Sequence, residues 1–209
     1  MHTIELITVD GKSIYRGQHN SLNDAIESAI QKNIPLDGIN LSFADLHHIN
    51  LDGVSIKNAS FQSANLGGAN MSECNFSDCD FSSANLEDAC LCYSNLNNCN
   101  FKLCEFKEAD ISMSSITNCA FEGFSTFYLR LHSAFKILNL TYHHFTKQYP
   151  INTPPTLIQS GDKMIALLDN SMICKGIQHT FEYGSIPENT PEPLTQAIQS
   201  IIDSKGKNT

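Results

Sequence analysis

The chain has no tryptophan, and only 17% of its 209 residues are charged, so its surface must rely on neutral polar groups. It has no run of 18 apolar residues, which argues against a membrane-spanning helix. The opening MHTIELITVDGK has no basic stretch followed by an apolar one, so no secretory signal is expected. Basic residues are scarce where they would matter most. Residues 34–123 contain 12 acids against only Lys57, Lys102 and Lys107, while the flanking segments 1–33 and 124–209 together are neutral, so the middle carries the whole net charge of -9. An acidic body disfavours direct binding of nucleic acid and favours basic partners; the plainer reading of such charge is solubility.

That same middle segment has a period of five, which is neither the 3.6 of a helix nor the 2 of an ordinary strand. Starting at Leu36, every fifth residue through Phe121 is a large apolar one, giving 18 pentads without a slip. Two positions before each centre lies a small or apolar residue, such as Ala64, Ala69, Cys74, Cys79 or Ala84, and Asn, Asp or Ser usually stands between the two. One pentad buries too little to offset the entropy of ordering it, so a core forms only when many pentads stack.

Pentads such as Ala64-Asn65-Leu66 and Ala84-Asn85-Leu86 resemble the A-(D/N)-L-X-X pattern of the pentapeptide-repeat family, and the resemblance covers 90 of the 209 residues. It implies a mainly β fold, a right-handed quadrilateral β-helix with about four pentads per coil. At a strand spacing of ~4.8 Å, such a segment would rise about 22 Å. Recurrence at twenty residues supports the four-sided coil from the sequence itself. Phe61, Phe81, Phe101 and Phe121 fall in one column, with Cys79, Cys99 and Cys119 in the small-residue column beside them.

The ends read as appendages to this solenoid. Residues 1–33 predict a β-hairpin around Asp10-Gly11 and a helix started by Ser21, with Leu22, Ala25, Ile26, Ala29 and Ile30 on the face that would cover the first coil. Residues 124–209 predict a small α+β region. Phe127, Leu131, Ala134, Phe135, Leu138, Tyr142 and Phe145 fit a helix, although Leu129, Ile137 and Leu140 fall off its face and leave a partly extended segment as the alternative; a hairpin around Asp169-Asn170 and a helix from Thr190-Pro191 follow.

The cysteines at inward positions read as compact fillers interchangeable with alanine, in keeping with a reducing cytoplasm, including that of a host cell reached by delivery. Cys90 and Cys92 flank the inward Leu91 and should lie outside, where a lone C-x-C is too few ligands for structural zinc but leaves thiols open to oxidation. His47 and His48 lie on another face. Cys174 and His179, five residues apart on one expected strand, should face opposite ways and so make no nucleophilic pair. No catalytic residue, metal site or cofactor site is expected.

Function is therefore sought on the outer faces. One face takes Asp45, Glu87, Asp88, Glu105 and Glu108, and the next takes Asp52, Glu73 and Asp110, with Lys107 as the single base on the two. The preferred reading is a non-enzymatic interaction module, a rigid acidic β-helix that presents these faces and the C-terminal region to a protein target in a bacterial, phage or effector setting. The family resemblance implies an alternative, a DNA mimic that occupies a topoisomerase such as DNA gyrase; nine net charges over ~22 Å are somewhat sparser than one per ~1.7 Å of B-DNA. A small enzyme activity in residues 124–209 is the third reading. No membrane partner is expected, and the oligomeric state, dimer included, is left open.

Overall fold

The computed structural model describes residues 1–144, 147–151, 153–160, 163–168, 171–174 and 177–180. Two compact units divide the chain, Met1–Asn152 and Thr153–Thr209. In order, the elements of the first are β1 (His2–Ile7), β2 (Ser13–His19), α1 (Leu22–Gln31), β3 (Ser55–Lys57), β4 (Asn75–Ser77), β5 (Asn95–Asn97), β6 (Asn100–Lys102), β7 (Ser115–Thr117), β8 (Ala120–Glu122), β9 (Lys136–Leu138), β10 (Leu140–His144) and β11 (Lys147–Ile151). The second contains β12 (Thr156–Ser160), β13 (Lys163–Leu168), β14 (Ser171–Cys174) and β15 (Ile177–Thr180).

Each pentad makes one side of a coil and then turns. The carbonyl of the centre residue accepts the amide N–H three residues on, as from Ala44 to Leu41 (3.2 Å), Ile49 to Leu46 (3.0 Å) and Ala64 to Phe61 (3.0 Å). The residue between, two after the centre, is left-handed in every pentad: φ is 61° at Phe43, 56° at His48, 57° at Asp88 and 59° at Leu103. A positive φ is what a type II turn demands of its third residue, and β-branched side chains resist it most. The corner positions from Gly38 to Gly123 accordingly contain no Val, Ile, Thr or Pro.

Coils stack through parallel ladders at a twenty-residue register. Leu46 N–H donates to the Asn65 carbonyl (2.8 Å), and Asn65 N–H donates back to the Ala44 carbonyl (2.9 Å). Strands β3, β4, β5 and β7 repeat this as Ile56, Phe76, Leu96 and Ile116 in line. Inside, the rings of Phe61, Phe81, Phe101 and Phe121 stack at 4.7, 5.0 and 5.5 Å between successive centroids, and Phe76 meets Phe81 edge-on at 5.4 Å.

The inward cysteines do more than fill space. Cys74 and Cys104 thiols donate to the carbonyls of Leu51 and Phe81 at 2.9 Å, and Ser94 donates to Met71 at 2.7 Å from an equivalent position. A small donor thus meets a carbonyl inside the coil, where alanine could not. Burial pushes the Cys74 and Cys104 thiols up to about 12.

At the N-terminal end, β1 and β2 pair antiparallel with a bulge between Leu6 and Ile7. Gly11, at φ 83°, closes the turn, and its N–H donates to Thr8. The hairpin also pairs with the first coil: Asn40 N–H donates to the Ile7 carbonyl and Val9 N–H to that of Gly38. Helix α1 starts where Ser21 Oγ accepts the Asp24 N–H at 3.1 Å, and it buries Ala25, Ile26 and Ala29, with Leu22 and Ile30 half-buried.

At the other end, residues 127–144 do not form the expected helix. The chain makes two short 3-10 turns, Phe124–Tyr128 and Leu131–Ser133, and then the strands β9 and β10. β9 pairs parallel with β7 and β10 with β8, so the stacking runs beyond residue 123. The register there is 21 rather than 20, as Ile116 meets Ile137 and Phe121 meets Tyr142. Leu129 and Leu140, off the expected helical face, are buried, whereas Phe135, on it, is 74% exposed. The open edge of the preceding coil offers unpaired N–H and C=O groups, and meeting them outweighs the helical pattern of the side chains. β11 closes this sheet antiparallel to β10, with Pro150 in an edge strand where a missing N–H is tolerated.

The second unit is an antiparallel meander in the order β12-β13-β14-β15. The hairpin expected around Asp169-Asn170 appears as β13 and β14, with Leu168 opposite Ser171. Cys174 and His179 are not on one strand as expected. The chain reverses between them, so Cys174 pairs with Ile177 and His179 with Met172, two register positions away. The helix expected from Thr190-Pro191 lies outside the described residues.

Candidate acidic faces of the solenoid

The coil geometry turns a sequence interval of twenty into a vertical column, and the eight carboxylates occupy two adjoining faces. On the first, Asp45, Asn65, Asn85 and Glu105 are bridged in line. Asn65 Nδ2 donates to Asp45 (2.9 Å), and Asn85 Nδ2 donates to Asn65 (3.1 Å). Ser125 Oγ donates to Glu105 Oε1 at 2.5 Å. The amides thereby hold the side chains of this column in one orientation. The corner column beside it runs His48, Gly68, Asp88, Glu108, all left-handed. Asp88 and Glu108 are both exposed and share that column one coil apart, which places two like charges side by side.

Lys107 does not stand free on this face. Its ammonium pairs with Glu87 Oε1 at 2.5 Å, and this bond, with the negative potential of Glu87, Asp88 and Glu108, raises its pKa.

On the second face, Asn50, Asn70, Cys90 and Asp110 are bridged in line, and Asp52 and Glu73 are exposed beside them. Asp110 Oδ1 accepts both the N–H (2.9 Å) and the Oγ–H (2.6 Å) of Ser112. These bonds, first that of the hydroxyl, hold its carboxyl below the ordinary range. The remaining acids of the solenoid, Asp37, Asp78, Asp80 and Glu122, share the other two faces with Lys57 and Lys102.

His47 and His48 lie side by side, ring centroids 3.7 Å apart, both exposed. Among the described residues, no three His, Cys, Asp or Glu side chains come together as a metal site would need. An open cleft of about 420 Å³ runs between the hairpin turn and the first coil; of its charged groups, Asp10 and Lys12 pair with each other at 2.7 Å and Asp37 accepts the Lys57 N–H. Among the described residues, no helix is long and apolar enough to cross a membrane.

Residues 36–72, 59–92 and 91–123 match the family model for pentapeptide repeats, in eight copies. Residues 36–123 are a pentapeptide-repeat domain. No curated protein matches the chain. Among solved structures, the pentapeptide-repeat domain resembles a trypsin-treated variant of QnrB1, a plasmid-mediated fluoroquinolone resistance protein, at 13% identity over 52% of this chain and 62% of that one, with a TM-score of 0.35. It also resembles HetL, a pentapeptide repeat protein involved in heterocyst differentiation regulation in the cyanobacterium Nostoc (17% identity, 41% and 46% coverage, TM-score 0.25). A further pentapeptide repeat protein of Nostoc is 23% identical over 56% of this chain and 95% of that one, with a TM-score of 0.28. The chain spans less than two thirds of the QnrB1 chain.

The sequence shows the asparagines of the columns on the pentapeptide-repeat faces, and the structure adds that their side chains bond from coil to coil. Asn65, Asn70, Asn85 and Asn100 stand in one pentad position, and their recurrence at multiples of five was the available signal. The left-handed corners were legible too, in the missing β-branched residues.

Proposed function

We propose that the protein is a non-catalytic interaction module whose two adjoining acidic faces dock a basic surface of a partner protein, with residues 124–209 as a second contact region. The observation that carries this is the charge asymmetry of the coil. Asp45, Glu87, Asp88, Glu105 and Glu108 on one face and Asp52, Glu73 and Asp110 on the next are accompanied, within residues 34–123, by a single Lys or Arg, Lys107, which is already paired to Glu87; Arg130, from the chain that follows, adds one positive charge near Asp110. Seven of the eight carboxylates are exposed and Glu87 is half-buried. Asp45, Glu87, Glu105 and Asp110 are each held by a hydrogen bond, from Asn65, Lys107, Ser125 and Ser112, which lowers the side-chain entropy these four lose on binding.

The test is affinity capture from bacterial lysate with the full chain, beside a variant carrying Glu87→Lys, Asp88→Lys, Glu105→Lys and Glu108→Lys. A partner retained by the native faces, lost from the variant and released by salt supports the reading. A partner held equally by both overturns it and moves the contact to residues 124–209. Competing duplex DNA identifies the kind of partner: displacement by DNA marks a DNA-binding enzyme and the mimic form of the same module.

A further inference from the structure

On the second acidic face, one coil departs from the chemistry of its neighbours. In the coil before it, Asn70 Oδ1 accepts from the Oγ and N–H of Ser72, the oxygens 2.5 Å apart. In the coil after it, Asp110 does the same with Ser112 at 2.6 Å. Between them, the same two positions hold Cys90 and Cys92, and their sulfurs lie 3.0 Å apart. The backbone that aims a serine hydroxyl at an Asx carboxyl or amide two residues earlier here aims one thiol at another. Both residues are half-exposed and free, whereas Cys74, Cys79, Cys99, Cys104 and Cys119 are buried.

We propose that Cys90 and Cys92 are a reversible thiol–disulfide modification site, oxidised by peroxides. The Cys90 thiolate attacks the peroxide O–O bond; an S–O bond forms, the O–O bond breaks, and the leaving oxygen takes a proton to become water. The Cys92 sulfur then attacks that of Cys90. An S–S bond forms, the S–O bond breaks, and the hydroxide leaves with the Cys92 proton as a second water. Two electrons pass from the sulfur pair to the peroxide. The sulfurs must close by about 1 Å to reach the ~2.05 Å of a disulfide, and rotation of the two half-exposed side chains supplies it.

The local electrostatics assign the order of events. Burial alone would raise the Cys90 thiol, but its hydrogen bond with Cys92, and secondarily its contact with Ser72, outweigh it and leave Cys90 below its ordinary range. Burial, the bond with Cys90 and the nearby Asp110 push Cys92 up. Cys90 is therefore the attacking thiolate, and Cys92 the resolving thiol.

The test treats the full chain with hydrogen peroxide and follows both thiols by alkylation and peptide mass spectrometry. The expected product is a segment containing Cys90 and Cys92 that is lighter by two hydrogens, with both alkylation sites lost together and both restored by dithiothreitol. Cys92→Ser should leave Cys90 to oxidise onward to the sulfinic acid, while Cys90→Ser should leave Cys92 largely unreacted under the same conditions. Serine stands at the equivalent of position 92 in the coils on either side, so that variant keeps the coil, and unchanged circular dichroism checks both variants. Sulfinic acid on Cys90 in the native chain, or a disulfide that maps to the buried cysteines, would overturn the proposal.

Discussion

Glu27 of helix α1 accepts the Asn50 N–H through its carboxylate at 3.3 Å, and so takes the place that a backbone carbonyl takes in every later coil of that column. Asn70 donates to Ile49, Cys90 to Ala69 and Asp110 to Ala89, each at 2.9 Å. Asn50 has no coil below it, and a side chain from the helix substitutes. The hairpin does likewise for Asn40 through the Ile7 carbonyl. A solenoid needs such end groups because each coil meets half of its backbone bonds through its neighbour.

Replacing Glu27 by alanine should destabilise the chain by about 0.5–1 kcal/mol, the net worth of one surface hydrogen bond. Glu27→Gln, which keeps an acceptor oxygen, should lose less. Urea unfolding of the two variants beside the native chain measures the difference, and equal losses would remove the acceptor role.

The phenylalanine stack should behave as one packed body. Phe81 is fully buried and touches Phe61, Phe76 and Phe101. Phe81→Ala should cost about 3–5 kcal/mol. Phe43, at 75% exposure on an outer corner, should change stability by no more than about 0.5 kcal/mol when truncated. Thermal or urea unfolding separates the two.

Gly68 is required by a neighbour as well as by its own backbone. A Cβ there would lie 2.3 Å from His48 Nδ1, and its φ is 63°. Gly68→Ala should therefore destabilise by about 1–2 kcal/mol, the order of a left-handed alanine plus a displaced ring. His48→Ala would remove the clash but not the left-handed backbone cost, and should recover only part of the loss. A double-mutant cycle divides the backbone share from the steric share.

Asp110 links stability to pH. Its carboxyl is held below 3.8 by Ser112, so it contributes to stability above the unfolded carboxylate range, and that contribution fades as pH falls through the lower folded value. Ser112→Ala should bring the Asp110 titration back toward the ordinary range and flatten this share of the acid dependence. Titration of the Asp110 side-chain signal by NMR reads it directly, and an unmoved midpoint would discard the hydroxyl as the cause.

The fold of residues 34–123 was legible because its instructions are local. A five-residue period assigns each side chain to the inside or the outside, and recurrence of Phe61, Phe81, Phe101 and Phe121 at twenty residues sets the number of sides. The corner positions, free of β-branched residues, carry the turn in the same local way. The sequence by itself therefore determined the coil, its columns and the faces on which the acids fall. The tertiary structure alone decided the C-terminal end and the chemistry between columns. The apolar spacing of Phe127 to Tyr142 reads as helix, yet the unpaired backbone of the coil below draws Lys136–Leu138 and Leu140–His144 into strands at a register of 21. Glu27 reaches Asn50 across 23 residues, and the Cys90–Cys92 contact depends on a turn that aims both sulfurs at one point. The physical reason is the same in each case. Side-chain periodicity is written along the chain, but a backbone group left unpaired at an edge takes whatever partner the folded molecule brings to it.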